Sequence, residues 1–150
     1  MRMTAAELFD SLASCLGRDL CKQFVIPEMV AFTEDPAFRV RKATVLHFQR
    51  ICEVGGEDEL FERLMPALVR LSKDDVYRVR KACADNLYEI SKTVSDDIRL
   101  GVLVEIFLRL SQDPSRLVKQ SVLQHSGMFL TTLPATGMRD KVRDHVILRV

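Results

Sequence analysis

Asp74-Asp-Val-Tyr-Arg-Val-Arg-Lys-Ala82 decides the fold of this chain, because nearly the same text stands 39 residues earlier as Asp35-Pro-Ala-Phe-Arg-Val-Arg-Lys-Ala43. A weaker copy, Asp113-Pro-Ser-Arg-Leu-Val-Lys-Gln-Ser121, stands 39 residues later. A fixed step of this size marks one supersecondary unit stacked on copies of itself.

The spacing around each copy is helical. In the middle unit Leu64, Leu68 and Leu71 mark a short helix, here called A. The polar turn Ser72-Lys-Asp-Asp75, rich in N-capping residues, follows it. A longer helix B then carries Val79, Ala82, Cys83, Leu87 and Ile90. The first unit repeats the pattern with Val25, Met29 and Phe32, then Val40, Ala43, Thr44, Phe48 and Ile51. The third has Leu103, Phe107 and Leu110, then Val118, Val122 and Phe129. No segment alternates as a strand does. The fold class implied is all-α: an α-α superhelix, a solenoid of stacked antiparallel helix pairs.

Punctuation keeps the same step. Gly17 and Gly56 stand where a B helix should stop on a left-handed C-cap, with Ser95 and Pro134 in that place later. Pro27 and Pro66 fall inside A helices, where a proline removes a hydrogen bond and bends the helix. Glu105 occupies that register in the third unit, so a straighter A helix is expected there.

The phase divides the chain into whole units at 20–58, 59–97 and 98–136, with partial units at 1–19 and 137–150. The first partial unit reads as a lone helix B over about 4–16, with Leu8, Phe9, Leu12 and Cys15 on its apolar face and Thr4-Ala-Ala-Glu7 as capping box. The last reads as a helix A running into the apolar Val146-Ile-Leu-Arg-Val150. Solenoids normally shield their ends with polar caps, so a piece of a longer solenoid is expected. End-to-end self-association is the alternative.

Composition narrows the function. The 22 basic and 21 acidic residues nearly cancel, which argues against a dedicated nucleic-acid or membrane-surface binder. No apolar run is long enough to span a bilayer, and the first residues lack the form of a signal peptide. The four cysteines form no C-x-x-C pair and sit among helix-periodic apolar positions, which predicts reduced thiols in an intracellular protein. A cytoplasmic location, with the nucleus as a second, is the corresponding expectation.

Catalytic signals are missing from the text. There is no phosphate-cradling Gly-x-Gly-x-x-Gly or Walker pattern, and no spacing that favours a nucleophile and base. His47 and His125 share a register, but two units apart they are too distant to share a zinc ion. No catalytic residue, metal or cofactor is expected.

Three groups remain. Asp35, Asp74 and Asp113 each stand six residues before Arg41, Arg80 and Lys119. The structural reading makes them a ladder, with Asp capping helix B and pairing with the basic residue of its own or the next unit. The functional reading makes them a polar ridge for a partner. Phe38 and Tyr77 open their B helices beside Arg39 and Arg78, while the third unit has Arg116. They serve either as staples over the A–B turn or, with Asp75 nearby, as an aromatic-guanidinium anchor for a protein partner. Lys42, Lys81 and Gln120, with Arg50, Asp85 and Glu89, form a solvated flank of helix B or a groove for an acidic or helical peptide.

A helical hairpin of this length, with Asp in the turn and Val-Arg opening helix B, resembles the HEAT repeat. Val40-Arg41-Lys42-Ala43 and Val79-Arg80-Lys81-Ala82 carry the likeness; the third copy departs at Lys119 and Ser121. The stretch from Asp74 to Ala84, with Leu110-Ser-Gln-Asp-Pro-Ser-Arg116, is similar to the HEAT-repeat regulatory and scaffold subunits of the protein phosphatase 4 and 2A family, most strongly over residues 60–133. That resemblance implies a non-catalytic subunit that holds a serine/threonine phosphatase catalytic subunit. The contacts it implies lie in the turns around 33–39, 72–78 and 111–117 and on a concave side lined by B helices. A transport or assembly adaptor would carry the same repeats. HEAT-like DNA glycosylases share them too, but the absence of Trp and the near-zero charge count against that activity.

Overall fold

In the computed structural model, which describes residues 17–135 and 137–148, seven helices and no strand occur among the described residues. Helix α1 runs through Arg18–Leu20, a π-helical turn at Cys21–Val25 and Ile26–Phe32. Helix α2 is Phe38–Val54. Helix α3 joins Glu57–Glu59, a π turn at Leu60–Leu64 and Met65–Ser72. Helix α4 is Tyr77–Ser91. Helix α5 joins Asp96–Ile98, a π turn at Arg99–Leu103 and Val104–Ser111. Helices α6 and α7 are Arg116–Thr132 and Gly137–Leu148. The chain is therefore an all-α helical repeat. The expected lone helix over 4–16 and the side chains of Val146 to Val150 lie outside the described residues.

The B helices α2, α4 and α6 pack side by side, with α4 in the middle. Each A helix folds back on the B helix that follows it, and α7 packs on α5 and α6. The apolar positions of the 39-residue pattern form one continuous core. Leu64, Leu68, Leu71, Val79, Cys83 and Ile90 are at most 1% exposed. Ala82, with no side chain beyond Cβ, lets α4 approach its neighbours and is 3% exposed. In the third unit Phe107 stacks on Phe129 with ring centroids 4.7 Å apart, joining its A and B helices.

The A helices differ from expectation in one respect. Their π turns recur at the same 39-residue step, and the third has no proline after it. Proline is thus not what introduces the irregularity. A π turn widens the helix just upstream and relieves the clash a proline ring would make with the carbonyl four residues back. The backbone accommodates Pro27 and Pro66; Glu105 occupies the same geometry without needing it.

The glycine caps also divide. Gly17 has the left-handed φ of +81°, which only glycine adopts without cost. Gly56 does not, and α2 ends on Gly55 in an extended conformation. A Cβ at Gly56 would lie 2.9 Å from Lys22 Nζ, the end of a long side chain that can swing aside.

Candidate interaction surface

Each A–B turn is built around an aspartate two residues before the helix N-cap. Asp35 Oδ1, Asp74 Oδ1 and Asp113 Oδ1 accept backbone N–H bonds from Ala37, Val76 and Ser115 at 2.8, 2.9 and 2.8 Å. These are Asx turns. The N-cap residues are Ala37, Val76 and Ser115, none with a side-chain cap bond, so the aspartates do not cap the B helices as expected. They lie two residues too early along the chain and shape the turn instead.

Their second role reaches across the repeat boundary. Arg41 donates from Nε and Nη2 to both oxygens of Asp74 at 2.6 and 3.0 Å. Its Nη1 donates to the carbonyls of Asp35 and Pro36 at 2.8 and 3.2 Å. Arg80 repeats the arrangement, donating to Asp113 at 2.7 and 3.1 Å and to the carbonyls of Asp74 and Asp75. One guanidinium thus holds its own turn and the next one, a geometry a lysine cannot reproduce. The side chains are only 17% and 9% exposed for Arg41 and Asp74, and 15% and 5% for Arg80 and Asp113. The hydrogen bonds that Arg41 and Arg80 donate to these carboxylates raise the proton affinity of both guanidinium groups above the ordinary range, against the opposing effect of burial. Lys119, the third member in register, is exposed and has no ion-pair partner among the described residues.

A second set of cross-repeat contacts runs along the A side of the turns. Arg70 reaches the Thr33 hydroxyl at 3.5 Å and Glu34 at 3.2 Å; Arg109 reaches the Ser72 hydroxyl at 3.1 Å. The signal was present in the sequence, since Arg70 and Arg109, and Thr33 and Ser72, are also 39 apart. Asp85 forms a third junction. It pairs with Lys81 at 2.9 Å, accepts a bond from the Ser121 hydroxyl, and lies 3.4 Å from His125. No spacing in the sequence marked this cluster, because Leu46 and Gln124 hold its register elsewhere.

The proposed contact residues separate into two kinds. Phe38 and Tyr77 are half-buried and pack against the core, so each closes its turn while showing one edge. The Arg78 guanidinium lies 5.5 Å from the centre of the Tyr77 ring, within cation–π range. Arg39, Lys42, Asp75, Arg78 and Arg116 are exposed, and Lys81 is partly buried in its pair with Asp85. Between the second and third turns lies an open groove of about 660 Å³ walled by Lys73, Asp74, Asp75, Arg80, Gln112 and Pro114. His47 and His125 stay on separate helices, and no cluster of three or more potential metal ligands occurs among the described residues. Burial pushes the thiols of Cys52 and Cys83 far up, which leaves both as protonated core groups. No helix among the described residues is long and apolar enough to cross a membrane.

Paired helices, an Asx turn and an arginine bridging to the next turn define a helical-repeat fold, and residues 64–94 match the HEAT repeat family model. Among curated proteins, the chain is 38% identical over 63 residues to the RAB11-binding protein RELCH homolog of Xenopus tropicalis. It is 36% identical to the RAB11-binding protein RELCH of Mus musculus and 35% to the homolog of Danio rerio over spans of the same length. Each span is 42% of this chain but 5% of the relative, so the likeness is confined to a short segment of each relative.

Proposed function

We propose that the chain is a non-catalytic scaffold segment that grips a protein partner through its A–B turns and the adjoining ends of its B helices. The carrying observation is the bidentate Arg41–Asp74 and Arg80–Asp113 bridging. It sets successive turns at a fixed pitch, and a row of preorganised turns binds without the entropic cost of ordering loops. On this reading Tyr77 and Arg78 form the anchor, with Phe38 and Arg39 repeating it one unit earlier.

The partner named by the sequence resemblance is a serine/threonine phosphatase catalytic subunit. A second reading, a small GTPase of the Rab11 type, draws on the printed names of the relatives. Immobilised chain presented with each purified protein separates the two. Capture of the phosphatase that weakens with Tyr77→Ala plus Arg78→Ala supports the first. Capture of the GTPase alone replaces it with the second, and capture of neither removes both. Undiminished capture by the double variant moves the contact away from the turns.

A further inference from the structure

The charges at the helix starts follow opposite rules on the two sides of this solenoid. The A helices obey the helix dipole: their first turns carry Asp19 in α1, Glu57, Asp58 and Glu59 in α3, and Asp96 and Asp97 in α5. Among the described residues, none of the B helices α2, α4 and α6 has an acid in its first turn. The first seven residues of α2, α4 and α6 contain Arg39, Arg41 and Lys42, Arg78, Arg80 and Lys81, then Arg116 and Lys119, with no acid among them. Basic groups at a helix N-terminus oppose the dipole, and three side-by-side helices add their fields.

Internal pairing accounts for only part of this charge. Arg41 and Arg80 are spent on the ladder and Lys81 on Asp85. Arg39, Lys42, Arg78, Arg116 and Lys119 have no ion-pair partner among the described residues and, Arg78 over Tyr77 aside, project as open donors. Exposed leucines edge the row: Leu46 one turn past Lys42, Leu117 beside Arg116, and Leu123 one turn past Lys119, at 54%, 46% and 40% exposure.

We propose that this row, from Arg39 and Lys42 across Arg78 to Arg116 and Lys119, is the docking strip for an acidic, leucine-containing segment of a partner protein bound in extended form. Packed helix axes lie about 8–10 Å apart, and a chain extended as polyproline II advances about 3.1 Å per residue and returns every third side chain to the same face. Acidic side chains at every third position therefore match successive helices, with apolar residues between them for the leucines. The apolar edge favours such a segment over a nucleic-acid backbone, whose phosphates offer the exposed leucines no apolar contact. The inference rests on the scaffold reading only in taking a protein as occupant; it names neither a phosphatase nor a GTPase.

Fluorescence anisotropy of the full chain tests it, with a labelled peptide carrying Glu at every third position among Leu, Ser and Ala. The comparison probes are a scrambled peptide of equal charge and a short DNA duplex. The expected result is saturable binding that weakens with salt, is tighter for the in-phase peptide, and falls at least about tenfold in Arg39→Glu/Arg78→Glu. The equal charge change Arg63→Glu/Arg143→Glu, away from the row, should leave it within about twofold. Circular dichroism of each variant checks folding, and Arg39→Gln/Arg78→Gln repeats the test without charge reversal. Absent peptide binding at low salt, equal losses in both reversal variants, or tighter binding of the duplex would each overturn the proposal. Because the probe is a peptide, these outcomes are independent of whether either globular partner is captured.

Discussion

Arg41 and Asp74 belong to different repeats yet share two hydrogen bonds, at 2.6 and 3.0 Å, while the remaining guanidinium nitrogen holds the carbonyls of Arg41's own turn. Asp74 in turn organises the backbone of its own turn through Val76. Each bridge therefore couples the geometry of two turns.

Replacing Asp74 with Ala should cost more than replacing Arg41 with Met. The first change leaves a poorly hydrated guanidinium and also opens an Asx turn; the second leaves a carboxylate that keeps its Val76 bond. A loss of about 3–4 kcal/mol for Asp74→Ala and about 2–3 for Arg41→Met is expected from the cost of stranding a buried charge. Urea unfolding of the two singles and the double variant gives the coupling. Strictly additive losses would show that the pair does not act as a unit.

The conservative change Arg80→Lys should not be conservative. Lysine supplies one point charge where the fork makes two bonds to Asp113 and two to the carbonyls of Asp74 and Asp75. A destabilisation of about 1–2 kcal/mol is expected. A midpoint equal to that of the parent chain would mean the carbonyl bonds contribute nothing.

Ala82→Asp should lower the melting temperature by more than about ten degrees or abolish folding, since a carboxylate would enter a position 3% exposed in the middle B helix. Ala82→Val, which adds volume without charge, is expected to cost about 1–3 kcal/mol. Thermal scans that move by only a degree or two in both variants would contradict the close packing of α4.

The recurring π turn makes an unusual proline prediction. Glu105→Pro should cost under about 1 kcal/mol beyond Glu105→Ala, rather than the roughly 3 of an ordinary mid-helix proline. The alanine control removes the 2.8 Å pair with Arg109 from the comparison. A full proline penalty would show that the third A helix lacks the slack present at Pro27 and Pro66.

Alkali should destabilise the chain through its two buried thiols. Their pKa is raised on folding, chiefly by desolvation. The unfolded chain therefore loses these protons first, and stability falls as pH rises above about 9. Unfolding midpoints measured from pH 7 to pH 10 should decline less steeply in Cys52→Ala/Cys83→Ala. Identical slopes would assign the alkaline loss to other groups.

Much of this was legible before any coordinates. Val79, Cys83 and Ile90 could be placed in the core because helical periodicity and the 39-residue step independently select them. Asp and Arg in register suggested a ladder. The sequence did not say that Asp74 serves the Asx turn rather than the cap, because Asp suits both roles and the choice depends on where α4 begins. It led to a proline-driven bend in the A helices, although the π turn recurs where proline is absent. Asp85 gathering Lys81, Ser121 and His125 had no periodic trace, since the register neighbours of Asp85 itself, Leu46 and Gln124, are chemically unlike it.

The sequence by itself determined the repeat, its helical hairpin and its apolar face, because these depend on local periodicity and on one spacing repeated along the chain. Tertiary structure decided which arginine meets which aspartate. A residue's own turn and the next turn are alternatives that sequence distance cannot rank, and the helix packing resolves them by bringing Arg41 to Asp74, 33 residues away, in place of the Asp35 carboxylate six residues away. Stacking also decided which charges were spent inside the solenoid and which were left outward, as Arg39, Arg78 and Arg116 are.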